Sequence, residues 1–283
     1  MTSAAPVAVQ PVPRGGLGKL VGRRLVDWLP AAVVLVGGIA AWQGLVVALH
    51  VQQFLLPKPS SIATTFWNNR SELWHAGWFT FQEALGGFAI GSSLAILVAL
   101  VLARWRPLSA ALLPYAIAAN AIPIIAFAPI ANQWFAGGLT KSSKIFIAAV
   151  LCFFPVLVNT LRGLTSVRPQ DLELMHSYAA GQVAIFRRVR IPTALPFIFS
   201  GLKVATVLAM IGAVVGEYFG GTQEQLGVLI LDRTRIFQFP DAWAGIALAC
   251  LLGIALYVAV SIAEWLALRW SPSTSARSSN ARA

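Results

Sequence analysis

Long stretches without Asp, Glu, Lys or Arg alternate along this chain with short charged ones. A charge at mid-bilayer costs roughly 2.5–3.5 kcal/mol on insertion scales, so each uncharged apolar stretch marks a candidate membrane span. Four are direct: 30–49, 84–103, 145–161 and 242–263, each near the roughly 20 residues that cross a hydrocarbon core. The third of these is short, and Lys144 at its edge is expected to snorkel to the interface. The uncharged stretch 107–140 is too long for one straight helix and too short for two spans and a turn. With Pro114, Pro123 and Pro129 inside it, it reads as one broken crossing over 112–135. The stretch 197–219 carries Lys203 and Glu217 near its two ends, where each can reach an interface, and completes six spans. The predicted fold is all-α: a polytopic membrane protein with six transmembrane helices.

Composition agrees with this pattern. The chain is 58% hydrophobic and 11% charged, against about 25% charged in soluble domains, which excludes a water-soluble globule. Cys152 and Cys250 lie in apolar runs, and His50, His75 and His176 are far apart. A disulfide framework, a zinc site and a redox motif are therefore not expected. The net charge of +11 reports orientation rather than nucleic-acid binding. With the amino terminus in the cytoplasm, fifteen of the 21 Lys and Arg fall on the inner side. Six remain outside: Lys58, Arg70, Lys141, Lys144, Arg233 and Arg235. A double crossing of 107–140 would move every later segment to the other side and abolish the bias. Six spans with both termini cytoplasmic obey the positive-inside rule.

The ends, 1–29 and 269–283, read as cytoplasmic tails, with 1–18 and 271–283 expected to be mobile. Leu17, Leu20, Val21 and Trp28 interleave with Lys19, Arg23 and Arg24, the pattern of a short interfacial helix, with plain disorder as the alternative. A cleaved signal peptide is not expected, because no small-x-small site clearly follows Leu49.

The longest cytoplasmic insertion, 162–190, is more than a connector. Pro169 and Asp171 mark a helix start, with the acid favourable at the positive end of the dipole. A short helix over 171–180 is predicted to end at Gly181. A second, 182–190, carries Arg187, Arg188 and Arg190 and is predicted to stop at Ile191-Pro192. A helix, a break and a helix between two spans make a docking surface for a soluble partner. Arginines facing anionic lipid would explain the charges but not the ordered pattern.

Glu173 followed by Arg187-Arg188 and then Ile191-Pro192-x-Ala194-Leu195-Pro196 resembles the EAA loop of ATP-binding-cassette importer permeases. Lys141-Ser-Ser-Lys144-Ile-Phe, Phe154-Pro155 with Asn159-Thr160, and Gly227-Val-Leu-Ile are similar to the sulfonate, taurine and nitrate subfamily. The similarity extends over 54–268. Asn120-Ala-Ile-Pro123-Ile-Ile-Ala-Phe-Ala-Pro129 and Val-Gly216-Glu217-Tyr-Phe-Gly-Gly also look like its thiamine-pyrimidine and riboflavin branch. The resemblance implies a type I importer permease domain over 30–268, with a coupling segment at 165–190. Its partners would be a second permease copy, two ATP-binding-cassette ATPase subunits, an extracytoplasmic solute-binding protein and membrane lipid. It also implies an ATPase contact at Glu173, Leu174, Met175, His176, Ser177, Tyr178, Ala179 and Gly181. In this loop Leu174 and Met175 replace the family's two alanines, and Ala179 stands where a glycine is usual. The bend is therefore expected to move to Gly181.

The chain has no G-x-x-x-x-G-K-[ST] motif, so it is expected to use no cofactor itself, ATP being hydrolysed by the partner. No catalytic constellation is expected either, because Glu83, Glu217 and Glu264 lie on separate segments. Glu217 either lines a water-filled translocation path or forms an ion pair inside the bundle. Gly212-x-x-x-Gly216-x-x-x-Gly220 places small residues on one face, for close packing or for a gating helix at a dimer axis. Cysteines at Gly212 or Gly216 are expected to crosslink two copies. Asn120 and Asn132, with Pro123 and Gln133, either line a cavity or satisfy one another between helices. The cargo reads as a pyrimidine- or riboflavin-type heterocycle in preference to an aliphatic sulfonate, taurine or nitrate, because an unpaired Glu217 would repel an anion. The alternative class, an ion-coupled secondary transporter, should show paired intramembrane charges and two similar halves.

Overall fold

The computed structural model describes residues 17–135 and 140–269. The tails at 1–16 and 270–283 lie outside them, as do the side chains of Leu17, Lys19, Leu20, Val21, Arg23, Arg24 and Trp28 on which the interfacial helix was read. The described residues form two compact units, divided between Ser60 and Ser61.

In the first unit, helix α1 (Leu17–Ala48) runs without interruption through Pro30. It ends with His50 in the left-handed region, φ 52°. The His50 and Val51 amides turn back to the carbonyls of Val47 and Val46, which satisfies groups a helix end otherwise leaves unpaired. Gln43 closes the unit by exchanging two 3.2 Å hydrogen bonds with Ser60, one with its hydroxyl and one with its amide.

After α2 (Pro59–Asn68), which straddles the boundary, the second unit is a helical bundle. Its helices are α3 (Arg70–Leu102), α4 (Arg106–Ala119), α5 (Ile124–Trp134), α6 (Lys141–Thr165) and α7 (Pro169–Ser177). They are followed by α8 (Gln182–Ile185), a π turn (Phe186–Arg190), α9 (Ile191–Tyr218), α10 (Leu226–Arg235) and α11 (Phe239–Ala267). Among the described residues, five helices are long and apolar enough to cross a membrane, and the α4–α5 pair makes a sixth if its bend is one span.

Lipid tails are as apolar as leucine, so helices in a membrane associate through close packing rather than through the hydrophobic effect. The interfaces here are built accordingly. Ala84, Ala95 and Ala99 of α3, Cys152 of α6 and Ala205 and Ala209 of α9 form the buried centre with Val156 and Leu248. Helices α6 and α9 run antiparallel in contact along their length. Gly163 meets Ala194, Gly201 meets Asn159, Gly212 meets Ala148 and Gly216 meets Lys144 and Ile147. A Cβ on Gly212 would fall 2.7 Å from the Ala148 Cα. The glycine face of α9 is thus consumed by α6 of the same chain, and the expected crosslinking of two copies through Gly212 or Gly216 has no surface to act on.

Proline acts differently at two breaks. The crossing read over 112–135 is two helices bent by 96°. Pro114 and Pro129 are carried inside α4 and α5, while Pro123 sits extended between them. The last turn of α4 tightens to i→i−3 bonds from Ala121 and Ile122, and Pro123 has no N–H to continue it. Conversely, Ile191-Pro192 does not stop a helix. The chain is helical from Gln182 to Tyr218, because the π turn widens the backbone just before the proline, with Ile191 N–H reaching the Phe186 carbonyl. The second coupling helix and the fifth span are therefore one continuous element of 37 residues.

Candidate functional site

Two constellations stand out at opposite ends of α9. At its start lies the segment read as the coupling loop. Helix α7 contains no buried residue. Pro169 occupies the first turn, where its missing N–H costs nothing, and Asp171 pairs with Arg168 at 3.0 Å. Glu173, His176 and Ser177 are exposed, Met175 is half-buried, and Leu174 and Tyr178, four residues apart, present large apolar surface. Leu172, half-buried, faces a crevice with Leu164, Val167 and Arg190.

The bend did not move to Gly181. Ala179 itself is left-handed, φ 51°, and the Ala179 and Ala180 amides return to the carbonyls of His176 and Met175. Gly181 has an ordinary φ of −66° and caps α8. The helix end needs its left-handed residue one position past Tyr178 to close both bonds, so the geometry holds the site and Ala179 bears the strain of a Cβ there.

At the other end of α9 a polar knot joins five helices. The Thr80 hydroxyl on α3 donates to Glu217 Oε1 at 2.7 Å and accepts from the Leu226 amide at 3.0 Å. Glu217 Oε2 accepts from the Gly227 amide at 2.6 Å. The first two amides of α10, which no helical carbonyl can satisfy, are thus held by side chains of α3 and α9, and the carboxylate faces the positive end of that helix. Gly227 allows this approach, since a Cβ there would lie 2.6 Å from Glu217 Oε2 and 2.8 Å from the Val214 carbonyl.

Glu83 faces Glu217 within the same knot and accepts from the Gln225 side chain, which in turn holds the Thr222 amide at 2.7 Å. Lys144 is fully buried. It donates to the Gly220 and Thr140 carbonyls and acts electrostatically on both carboxyl groups. Asn132 of α5 donates to the Gly216 carbonyl at 3.0 Å, one of the carbonyls left open where α9 ends.

Several sequence expectations change here. Lys144 does not snorkel. Glu83 and Glu217, on separate segments, come together. Glu217 is 1% exposed, enclosed by the knot. Gly212, Gly216 and Asn132 are likewise buried. Asn120 alone of the five is exposed, beside a crevice of about 130 Å³ lined by Phe127, Leu151, Phe154 and Leu208. Glu217 is not unpaired, so the repulsion argument against an anionic cargo loses its basis. Paired charges do occur inside the bundle, including Lys203 with Glu264 at 2.6 Å. That criterion therefore does not separate the transporter classes.

Sequence reasoning passed over Thr80 and Gln225, and used Gly227 only as part of a family motif. The available signal was the shared depth of Glu83, Lys144 and Glu217 at the outer ends of three spans.

Comparison with known proteins decides the class. The chain is 35% identical over 247 residues to the riboflavin transport system permease protein of Chloroflexus aurantiacus, covering 87% of this chain and 90% of the relative. It is 35% identical over 224 residues to the formylaminopyrimidine transport permease protein of Halalkalibacterium halodurans, covering 77% and 87%. It is 31% identical over 256 residues to the putative aliphatic sulfonates transport permease protein of Escherichia coli, covering 88% and 93%. The profile of the binding-protein-dependent transport system inner membrane component matches residues 91–272, and the chain belongs to that family, as a membrane permease subunit of an ATP-binding-cassette transporter.

Proposed function

We propose that this chain is the half-channel of an importer for a riboflavin- or pyrimidine-type heterocycle, driven by a separate ATPase through α7. The carrying observation is α7 itself. It is an unburied helix strung between two membrane helices, offering Glu173, Leu174, His176, Ser177 and Tyr178 to a partner, with Ala179 and Gly181 setting its exit. ATP binding closes the ATPase dimer, α7 moves with it, and α9, continuous with α8 through the π turn, carries the displacement into the membrane. Two permease copies, two ATPases and an extracytoplasmic binding protein complete the assembly. The positive-inside bias supports cytoplasmic termini in a bacterial inner membrane. Asn120, exposed at the α4–α5 break, remains the candidate for contact with cargo.

The relatives named for riboflavin and formylaminopyrimidine, each 35% identical, support the heterocycle, and the sulfonate relative at 31% supplies the rival. Two measurements test the reading. A Glu173→Arg protein should lose its ATPase on co-purification; retention with normal uptake removes the α7 assignment. Calorimetry on the partner binding protein should give tight binding of riboflavin or a hydroxymethylpyrimidine, and binding of an alkanesulfonate alone would transfer the cargo to the rival class.

A further inference from the structure

A cleft of about 400 Å³ opens where the last turn of α3 meets α8 and the π turn. Leu100, Ala103, Val183 and Phe186 give it apolar walls, and Arg104, Arg190 and Gln182 line it with them. Arg190 Nη1 donates to the Ala103 carbonyl at 3.3 Å. That bond pins the guanidinium across the helix end while leaving most of its five N–H donors for something else. Arg187 and Arg188, on the same π turn, are exposed. Among the described residues none of these four arginines forms an ion pair.

The depth of the cleft is marked from two sides. Leu100 belongs to a membrane-crossing helix, and Trp105, one residue past Arg104, is 54% exposed, as expected of an indole at headgroup level. Apolar walls rising to uncompensated guanidinium groups match one ligand in shape and charge. An acyl chain would fit along Leu100, Val183 and Phe186, and a phosphate would accept charge-assisted bonds from the arginines.

We propose that this cleft is a binding site for an anionic phospholipid of the phosphatidylglycerol type, fastening the α3 end to the π turn that links the coupling segment to α9. The choice of leaflet rests on the cytoplasmic placement of α7 proposed above; the cleft's chemistry does not. A soluble phosphate would use the arginines but leave the apolar walls open, and an acidic ATPase surface would have no acyl chain to lay on them.

The test uses the full-length permease purified in neutral detergent and titrated with dioleoylphosphatidylglycerol, dioleoylphosphatidylcholine or inorganic phosphate while thermal unfolding is followed. Phosphatidylglycerol should raise the midpoint, and the other two should not. Arg104→Gln and, separately, Val183→Asp should each weaken the half-saturating lipid concentration by about tenfold, the loss of one charged hydrogen bond or of the apolar wall. Equal responses to both lipids, an equal response to phosphate, or unchanged saturation in both variants overturns the site. If Arg104→Gln releases the ATPase while the lipid response is unchanged, the cleft belongs to the ATPase contact and the lipid site falls while the importer reading stands. A lipid response that survives loss of the α7 contact leaves the site standing without that reading.

Discussion

Thr80 on α3 and Glu217 on α9 are 137 positions apart, and the hydroxyl of one meets the carboxylate of the other at 2.7 Å while both cap the same short helix. Because these groups are buried, removing either leaves the rest of the knot with unsatisfied partners, which costs about 1–3 kcal/mol per group. Thr80→Val keeps the shape and deletes the hydroxyl. It should lower the thermal stability of the detergent-purified protein by that amount. Thr80→Ser should retain most of the stability. Equal losses in both variants would show that the methyl group, and not the hydroxyl, matters.

Gly227 should tolerate no side chain. A methyl at that position would stand against Glu217 Oε2 and the Val214 carbonyl, displacing the start of α10. Gly227→Ala is expected to destabilise by about 1–3 kcal/mol, the usual range for overpacking. A variant as stable as the parent in a thermal scan would mean that α10 adjusts freely.

The α6–α9 interface makes a parallel claim. Gly212→Leu should abolish the folded monodisperse species in size-exclusion chromatography, since α9 lies directly on the Ala148 backbone. Cysteine at Gly212 should stay unreactive to a membrane-permeant maleimide. Efficient labelling, or a disulfide between two copies through this position, would place the glycine face at a surface after all.

Ala179 offers the opposite sign. A left-handed residue with a Cβ costs roughly 1–2 kcal/mol relative to one without, so Ala179→Gly should stabilise the α7 exit and slow amide exchange at Ala179 and Ala180. Ala179→Val should do the reverse. Faster exchange in the glycine variant would show that the freedom gained by the unfolded chain outweighs the strain removed.

Lys203 and Glu264 tie α9 to α11 at 2.6 Å, each about a quarter exposed. Lys203→Met and Glu264→Gln should each destabilise, and the double variant should lose less than the sum, with a coupling of about 0.5–3 kcal/mol. Strict additivity in the thermal midpoints would mean the pair is solvated and inert.

Apolar run length and the lysine and arginine bias determined the class of this protein from sequence alone: an all-α membrane protein, read as six spans. The physical reason is that a bilayer penalises charge at every position of a span, so each span is written locally. The quoted loop and span motifs likewise carried the permease resemblance without any coordinates. What the tertiary structure decided concerns partners. Nothing near Glu217 in sequence says that Thr80, Glu83 and Lys144 will surround it, and nothing beside Gly212 says that α6 takes its face. Both depend on which helices become neighbours, and a small residue advertises close approach without naming its partner. The same holds for backbone breaks. Pro123 and Pro192 carry the same local prohibition, yet one yields a 96° bend and the other a continuous helix. Whether neighbouring residues can widen into a π turn ahead of the proline is settled by the packing around it, and the proline itself does not encode it.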